Sequence, residues 1–145
     1  MIGRLWAVNE LINFSGSQKT IDTWAEIATG DSFRAVREAA LKNIAEYHNK
    51  DFKDLFYTAT GDANSKVRVA AVSALGDTRD QTMIDHFRKI FETDDSYLVM
   101  AEALKSIGKC GNRSQLNYLK EAGKVKSHRD IVSRAAVQAI EMISQ

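Results

Sequence analysis

Proline is absent from this 145-residue chain, cysteine occurs once, and neither sign of charge dominates. Without proline no position lacks a backbone N–H donor, so helices can run uninterrupted. The lone Cys110 excludes an intrachain disulfide and gives no sign of an oxidising compartment. Lys and Arg number 20 against 19 Asp and Glu, so no global field draws nucleic acid or an acidic membrane, and any charge argument is local. No run approaches the roughly 18 apolar residues of a membrane span. The first twelve residues, interrupted by Arg4 and Glu10, lack the apolar core of a signal sequence. A phosphate loop is missing as well, because Gly108-Lys-Cys-Gly111 does not have the Walker spacing. These absences describe a soluble chain of one-domain size, able to bury about 68–70% of its unfolded surface. Its compartment is open, with the cytoplasm favoured by the lack of a targeting signal.

What is present is a repeat. Val36-Arg-Glu-Ala-Ala-Leu-Lys-Asn-Ile44, Val67-Arg-Val-Ala-Ala-Val-Ser-Ala-Leu75, Val99-Met-Ala-Glu-Ala-Leu-Lys-Ser-Ile107 and Val132-Ser-Arg-Ala-Ala-Val-Gln-Ala-Ile140 follow one another at a nearly constant step, each interval one position longer than the last. A second apolar column precedes them: Ile21 and Trp24, Phe52 and Leu55, Ile84 and Phe87, Leu116 and Leu119. Apolar residues at i, i+3, i+4 and i+7 or i+8 mark a helix with one buried stripe, so two columns mean two helices per unit. Such a unit cannot bury its apolar face alone and must stack on its neighbours. The expected fold is all-α, a right-handed α–α superhelix of about nine helices in four and a half repeats. A leading helix near 3–14 aligns with the second helix of a unit, and the repeats fall near 17–46, 49–77, 80–109 and 112–143, all in a single domain. A leading second helix without its partner is expected where a longer parent chain continues upstream.

The boundaries are punctuated at the same step. Asp31, Asp62, Asp94 and Ser127 read as N-caps of the second helices. Ser127 with Asp130, and Thr78 with Gln81, are close to capping boxes. Gly30, Gly61, Gly76, Gly108, Gly111 and Gly123 fall near helix ends, where glycine accepts a left-handed backbone. Ala39, Ala40, Ala70, Ala71, Ala103, Ala135 and Ala136 occupy matching positions where small side chains let helices approach closely.

Period alone also allows ankyrin or tetratricopeptide units, but there is no Thr-Pro-Leu-His and no Trp-x-x-Leu-Gly with a closing proline. The Val-Arg-x-Ala-Ala-x-x-x-Leu-Gly form of Val67 to Gly76, preceded by Asp62, resembles the HEAT repeat, here shorter than usual and without its first-helix proline. A narrower resemblance lies in Asp94-Asp-Ser-Tyr-Leu-Val-Met-Ala-Glu-Ala-Leu-Lys-Ser-Ile-Gly108, Leu119-Lys-Glu-Ala122 and Ser127-His-Arg-Asp-Ile-Val-Ser-Arg-Ala-Ala136, with Arg4-Leu-Trp-Ala-Val8 and Phe33-Arg-Ala-Val-Arg-Glu-Ala-Ala40. These segments are similar to the C-terminal helical region of the aminopeptidase N family of zinc metallopeptidases. The resemblance implies a non-catalytic accessory region that packs on a catalytic domain and helps enclose its substrate chamber.

Catalysis has no foothold in the residues themselves. The zinc-binding His-Glu-x-x-His helix is missing, and His48, His86 and His128 stand far apart along the chain with no second ligand at helical spacing, so neither metal nor cofactor is expected. His86 is expected on a solvated side, and Cys110 as a loop thiol without an activating partner. Asp94 and Asp95, at a helix start, serve capping better than paired acid–base chemistry. The candidate interaction surface is a mostly cationic row on the concave side, formed by Arg37, Glu38, Lys42, Arg68, Ser73, Glu102, Lys105, Arg134 and Gln138. Its expected partner is a protein, including the catalytic part of a parent chain, or a peptide. The alternative is nucleic acid, held by the basic C-terminal third with Arg113, Lys120, Lys124, Lys126, Arg129 and Arg134. A lyase acting on a linear tetrapyrrole is disfavoured by the lack of an acid–base pair and of a cofactor pocket.

Overall fold

The computed structural model describes residues 1–145, and it is all-α. Nine α-helices follow one another: α1 Ile2–Glu10, α2 Gln18–Gly30, α3 Arg34–His48, α4 Lys53–Ala59, α5 Ser65–Asp77, α6 Ile84–Thr93, α7 Tyr97–Cys110, α8 Leu116–Ala122 and α9 Ile131–Ser144. The α-helical part of the leading segment stops at Glu10 and tightens into a 3-10 turn over Leu11–Phe14. The chain forms two compact units, residues 1–74 and 75–145, and the division falls inside α5.

In the first unit α3 packs on both α1 and α2. Its interior holds Val8, Trp24, Val36, Ala40, Leu41, Ile44, Phe56, Val67 and Ala71. Trp24 is fully buried and donates its indole N–H to Val8 O at 3.1 Å, while Asn43 donates its amide to the same carbonyl at 3.2 Å. That carbonyl belongs to the last turn of α1, where no intrahelical donor is left. One aromatic and one buried amide therefore satisfy a helix end. The expected inward pair Phe52 and Leu55 is corrected. Both are half-buried, and Phe56 and Ala59 point inward instead. Helix α4 begins only after Phe52, whose φ of −117° and ψ of 25° are not helical, so the buried stripe starts one residue later.

In the second unit α7 packs on α6 and α9, and α9 on α8. Leu75, Phe87, Val99, Leu104, Ile107, Leu119 and Val132 fill the core. The glycines also differ from expectation, for none has a positive φ. Gly76 and Gly108 lie inside α5 and α7 as contact points. A Cβ on Gly76 would lie 2.8 Å from Ser106 Cβ, and one on Gly108 would lie 2.6 Å from Ala139 Cα. Backbones that close leave no room for even a methyl group. A large aliphatic residue followed by glycine, Leu75-Gly76 and Ile107-Gly108, is thus a packing signature at the end of the repeat pattern.

The left-handed positions belong to Arg79, Arg129 and Asp130, with φ of 55°, 53° and 53°. The last two sit just before α9, where the repeat step is one position longer than in the unit before. Each such position costs roughly 1 kcal/mol or more for a side chain other than glycine.

Candidate interaction surfaces

The turns between paired helices are built by aspartate, though not as N-caps. Asp31 accepts from Phe33 N at 2.8 Å, Asp62 from Asn64 N at 2.8 Å and Asp94 from Ser96 N at 2.9 Å. Each is an Asx turn that closes two residues on and delivers the chain to the next helix. Ser127 reaches further and accepts from Val132 N at 3.0 Å. Ahead of the first helices of the last two repeats, Asp80 accepts from Thr82 N and Asn112 from Ser114 N. Thr78 instead donates to Leu75 O.

Arginine fastens these turns to one another in the first unit. Arg37 donates through Nε and Nη2 to the two oxygens of Asp62, at 2.8 and 2.9 Å, and through Nη1 to Asp31 O at 2.7 Å. Both partners of this fork are only 14% exposed. Burial pushes the Asp62 carboxyl up, but the Arg37 hydrogen bonds, the Asn64 N–H and the nearby guanidinium charges outweigh it and hold the group below the usual carboxylate range. Arg68 repeats the inner half of the pattern by donating to Asp62 O and Ala63 O.

This pairing revises the candidate row. Arg37 and Arg68 brace turns and are half-buried, so they are not free cations on a face. Glu38 is half-buried between Arg34 and Lys42, at 3.4 and 2.6 Å. Ser73 and Lys105 are half-buried. Glu102 is 8% exposed and holds Lys105 at 3.0 Å, with Lys109 at 3.9 Å, so it lies within the fold and not on the solvent side. Lys42, Arg134 and Gln138 alone of the nine are exposed. The spacing placed these residues on the second helices but gave no sign of which cations a carboxylate would take up.

Cys110, His48 and His86 are each held within the fold. Cys110 is the last residue of α7 rather than a loop thiol. It is buried, donates to Gly76 O at 3.3 Å, and burial pushes its thiol up to about 11, so it stays protonated at neutral pH. His48 donates a ring N–H to Ser15 O at 2.7 Å. His86 is half-buried beside Phe87 rather than solvated, and burial together with the Lys89 charge lowers its pKa.

Large apolar side chains are exposed at the start of the first unit. Trp6 and Phe14 are each 65% exposed, Ile2 is 81% exposed, and Leu11 and Phe14 help line a groove of about 310 Å³ with Thr20 and Thr23. No helix of the chain is long and apolar enough to cross a membrane.

The family model for HEAT repeats matches residues 21–101 and again 59–141, which together run from α2 into α9. The chain belongs to the HEAT-repeat family. HEAT repeats are protein-interaction and scaffold modules, generally without enzymatic activity. The match places the Asx turns and the glycine and alanine contacts within HEAT units, and it does not connect the chain to the aminopeptidase N region. No curated protein matches the chain.

Proposed function

We propose that this chain acts as a non-catalytic interaction module whose HEAT units present exposed helix faces to another protein. The observation that carries the reading is the exposure of Ile2, Trp6 and Phe14, with Phe14 on the wall of the 310 Å³ groove, in a family of interaction modules. Exposed apolar surface of this kind, rimmed by polar residues such as Ser17 and Lys19, marks contact sites. The experiment is affinity capture with the wild-type chain and with Trp6→Ser/Phe14→Ser, followed by purification of the captured protein and titration. A partner that binds the wild type and is lost from the double variant supports the reading. Equal binding to both removes it.

The finer reading is an accessory region of an aminopeptidase-like protein, supported by the Asp94 to Gly108 and Ser127 to Ala136 segments. In that setting the partner is the catalytic domain. A His-Glu-x-x-His helix encoded in the same reading frame supports it, and a parent gene without one removes it while leaving the interaction module intact.

A further inference from the structure

Between the start of α6 and the turn before α8 lies an open cleft of about 230 Å³, lined by Gln81, Asp85, Arg88, Asn112 and Gln115 among others. Arg88 is held from two sides: its Cζ lies 4.6 Å from the centre of the Tyr118 ring, and Nη2 donates to Gln115 Oε1 at 2.6 Å. Its remaining donors are short of acceptors. Nε is buried and has none, and Nη1 meets only Asp85 Oδ1 at 4.0 Å, on a side chain 95% exposed to water. The neighbouring amides have spent their acceptors. Asn112 Oδ1 takes Ser114 N at 2.9 Å and Gln115 Oε1 takes Arg88, leaving the Asn112 amide N–H groups without a protein partner. A fixed guanidinium beside free amide donors, in a concave polar cleft, is matched by a ligand that only accepts.

We propose that this cleft binds a carboxylate, with Arg88 as its cation and Asn112 as a second donor, and that the carboxylate is carried by an acidic peptide segment of a partner. Nε is covered and Nη2 already holds Gln115, so the edge left for a carboxylate is Nη1 with the second N–H of Nη2, in the charge-assisted geometry that suits a planar guanidinium. Arg88 is the sole cation lining the cleft and Asp85 stands at its edge, so a single negative charge suits it better than the double charge of phosphate. The source of the carboxylate rests on the interaction reading, whereas the carboxylate chemistry does not.

The test uses the whole chain, labelled with 15N and titrated with acetate, with the blocked peptide acetyl-Ala-Glu-Ala-amide and with inorganic phosphate. The expected result is saturable shifts of the Arg88 Nε–H, the Asn112 side-chain amide and the Gly111 N–H with both carboxylate probes. Arg88→Gln is expected to weaken binding about tenfold or more. Asp85→Asn keeps Arg88 in place, lies on an exposed side chain, and is expected to tighten binding about twofold. Absence of saturable shifts with acetate, tighter binding of phosphate, or no gain from Asp85→Asn overturns the assignment. Binding of acetate without the peptide overturns the peptide source. None of these readings requires the partner captured through Trp6 and Phe14, so the two ideas fail separately.

Discussion

Helices α7 and α9 carry the same repeat pattern one unit apart, yet their outward positions have opposite chemistry. In α7, Ala101, Leu104 and Gly108 are buried, and Gly108 lies against Ala139 of α9. Their counterparts in α9 are Arg134, Val137 and Glu141, all exposed, with Val137 at 53%. An arginine replaces an alanine, and a glutamate replaces the glycine that lets a backbone approach. The register that accepts another helix on α7 is filled on α9 by side chains that need water. Helix α1 has no such treatment, since Ile2 and Trp6 face solvent.

The comparison breaks first at Gly108. Gly108→Glu, which copies the α9 residue into α7, places a charged side chain against Ala139 backbone and is expected to cost more than about 3 kcal/mol, read as a lower urea midpoint. Next, Leu104→Ala empties a fully buried site and is expected to cost about 3 kcal/mol, while Val137→Ala at the matching position changes stability by less than about 0.5 kcal/mol. Equal effects from that pair would show that the two faces are not different after all. Extending the test to the first unit, Ala71→Leu at a fully buried small-residue position is expected to cost about 1–3 kcal/mol in a thermal melt.

The smallest expected effect concerns the turn braces. Asp62→Asn keeps the shape but removes the charge that Arg37 grips, at an expected cost of about 1–2 kcal/mol at neutral pH. The folded pKa of Asp62 is depressed, so its contribution is full above the unfolded value of about 4 and fades as pH falls through the folded one. Wild type therefore loses stability on acidification that Asp62→Asn does not have to lose. Chemical melts should find the two proteins about 1–2 kcal/mol apart at neutral pH and converging as the pH falls below about 4 and through the depressed folded pKa of Asp62.

Much of the fold was legible from spacing because burial repeats with the helix period. Val36, Val67, Val99 and Val132 are all fully buried, as a single stripe recurring at a near-constant step requires. The shift from Leu55 to Phe56 was not legible, since a one-residue difference in where α4 begins leaves the composition of the segment unchanged. The candidate row was readable only as a set of helix positions. Arg37 meets Asp62 across 25 residues, and Arg88 meets Gln115 across 27, both several positions short of the repeat step, so the spacing gave no signal for the braces or for the cleft.

The sequence by itself determined the helical pairing, the position of the core and the alternation of turn and helix, because apolar periodicity and Asx chemistry act over a few residues. Tertiary structure alone decided which charges remain free, why Gly76 and Gly108 must be glycine, and that Cys110 is inert. Those outcomes depend on atoms far apart along the chain meeting at hydrogen-bond or backbone contact distance, and no local pattern encodes that distance.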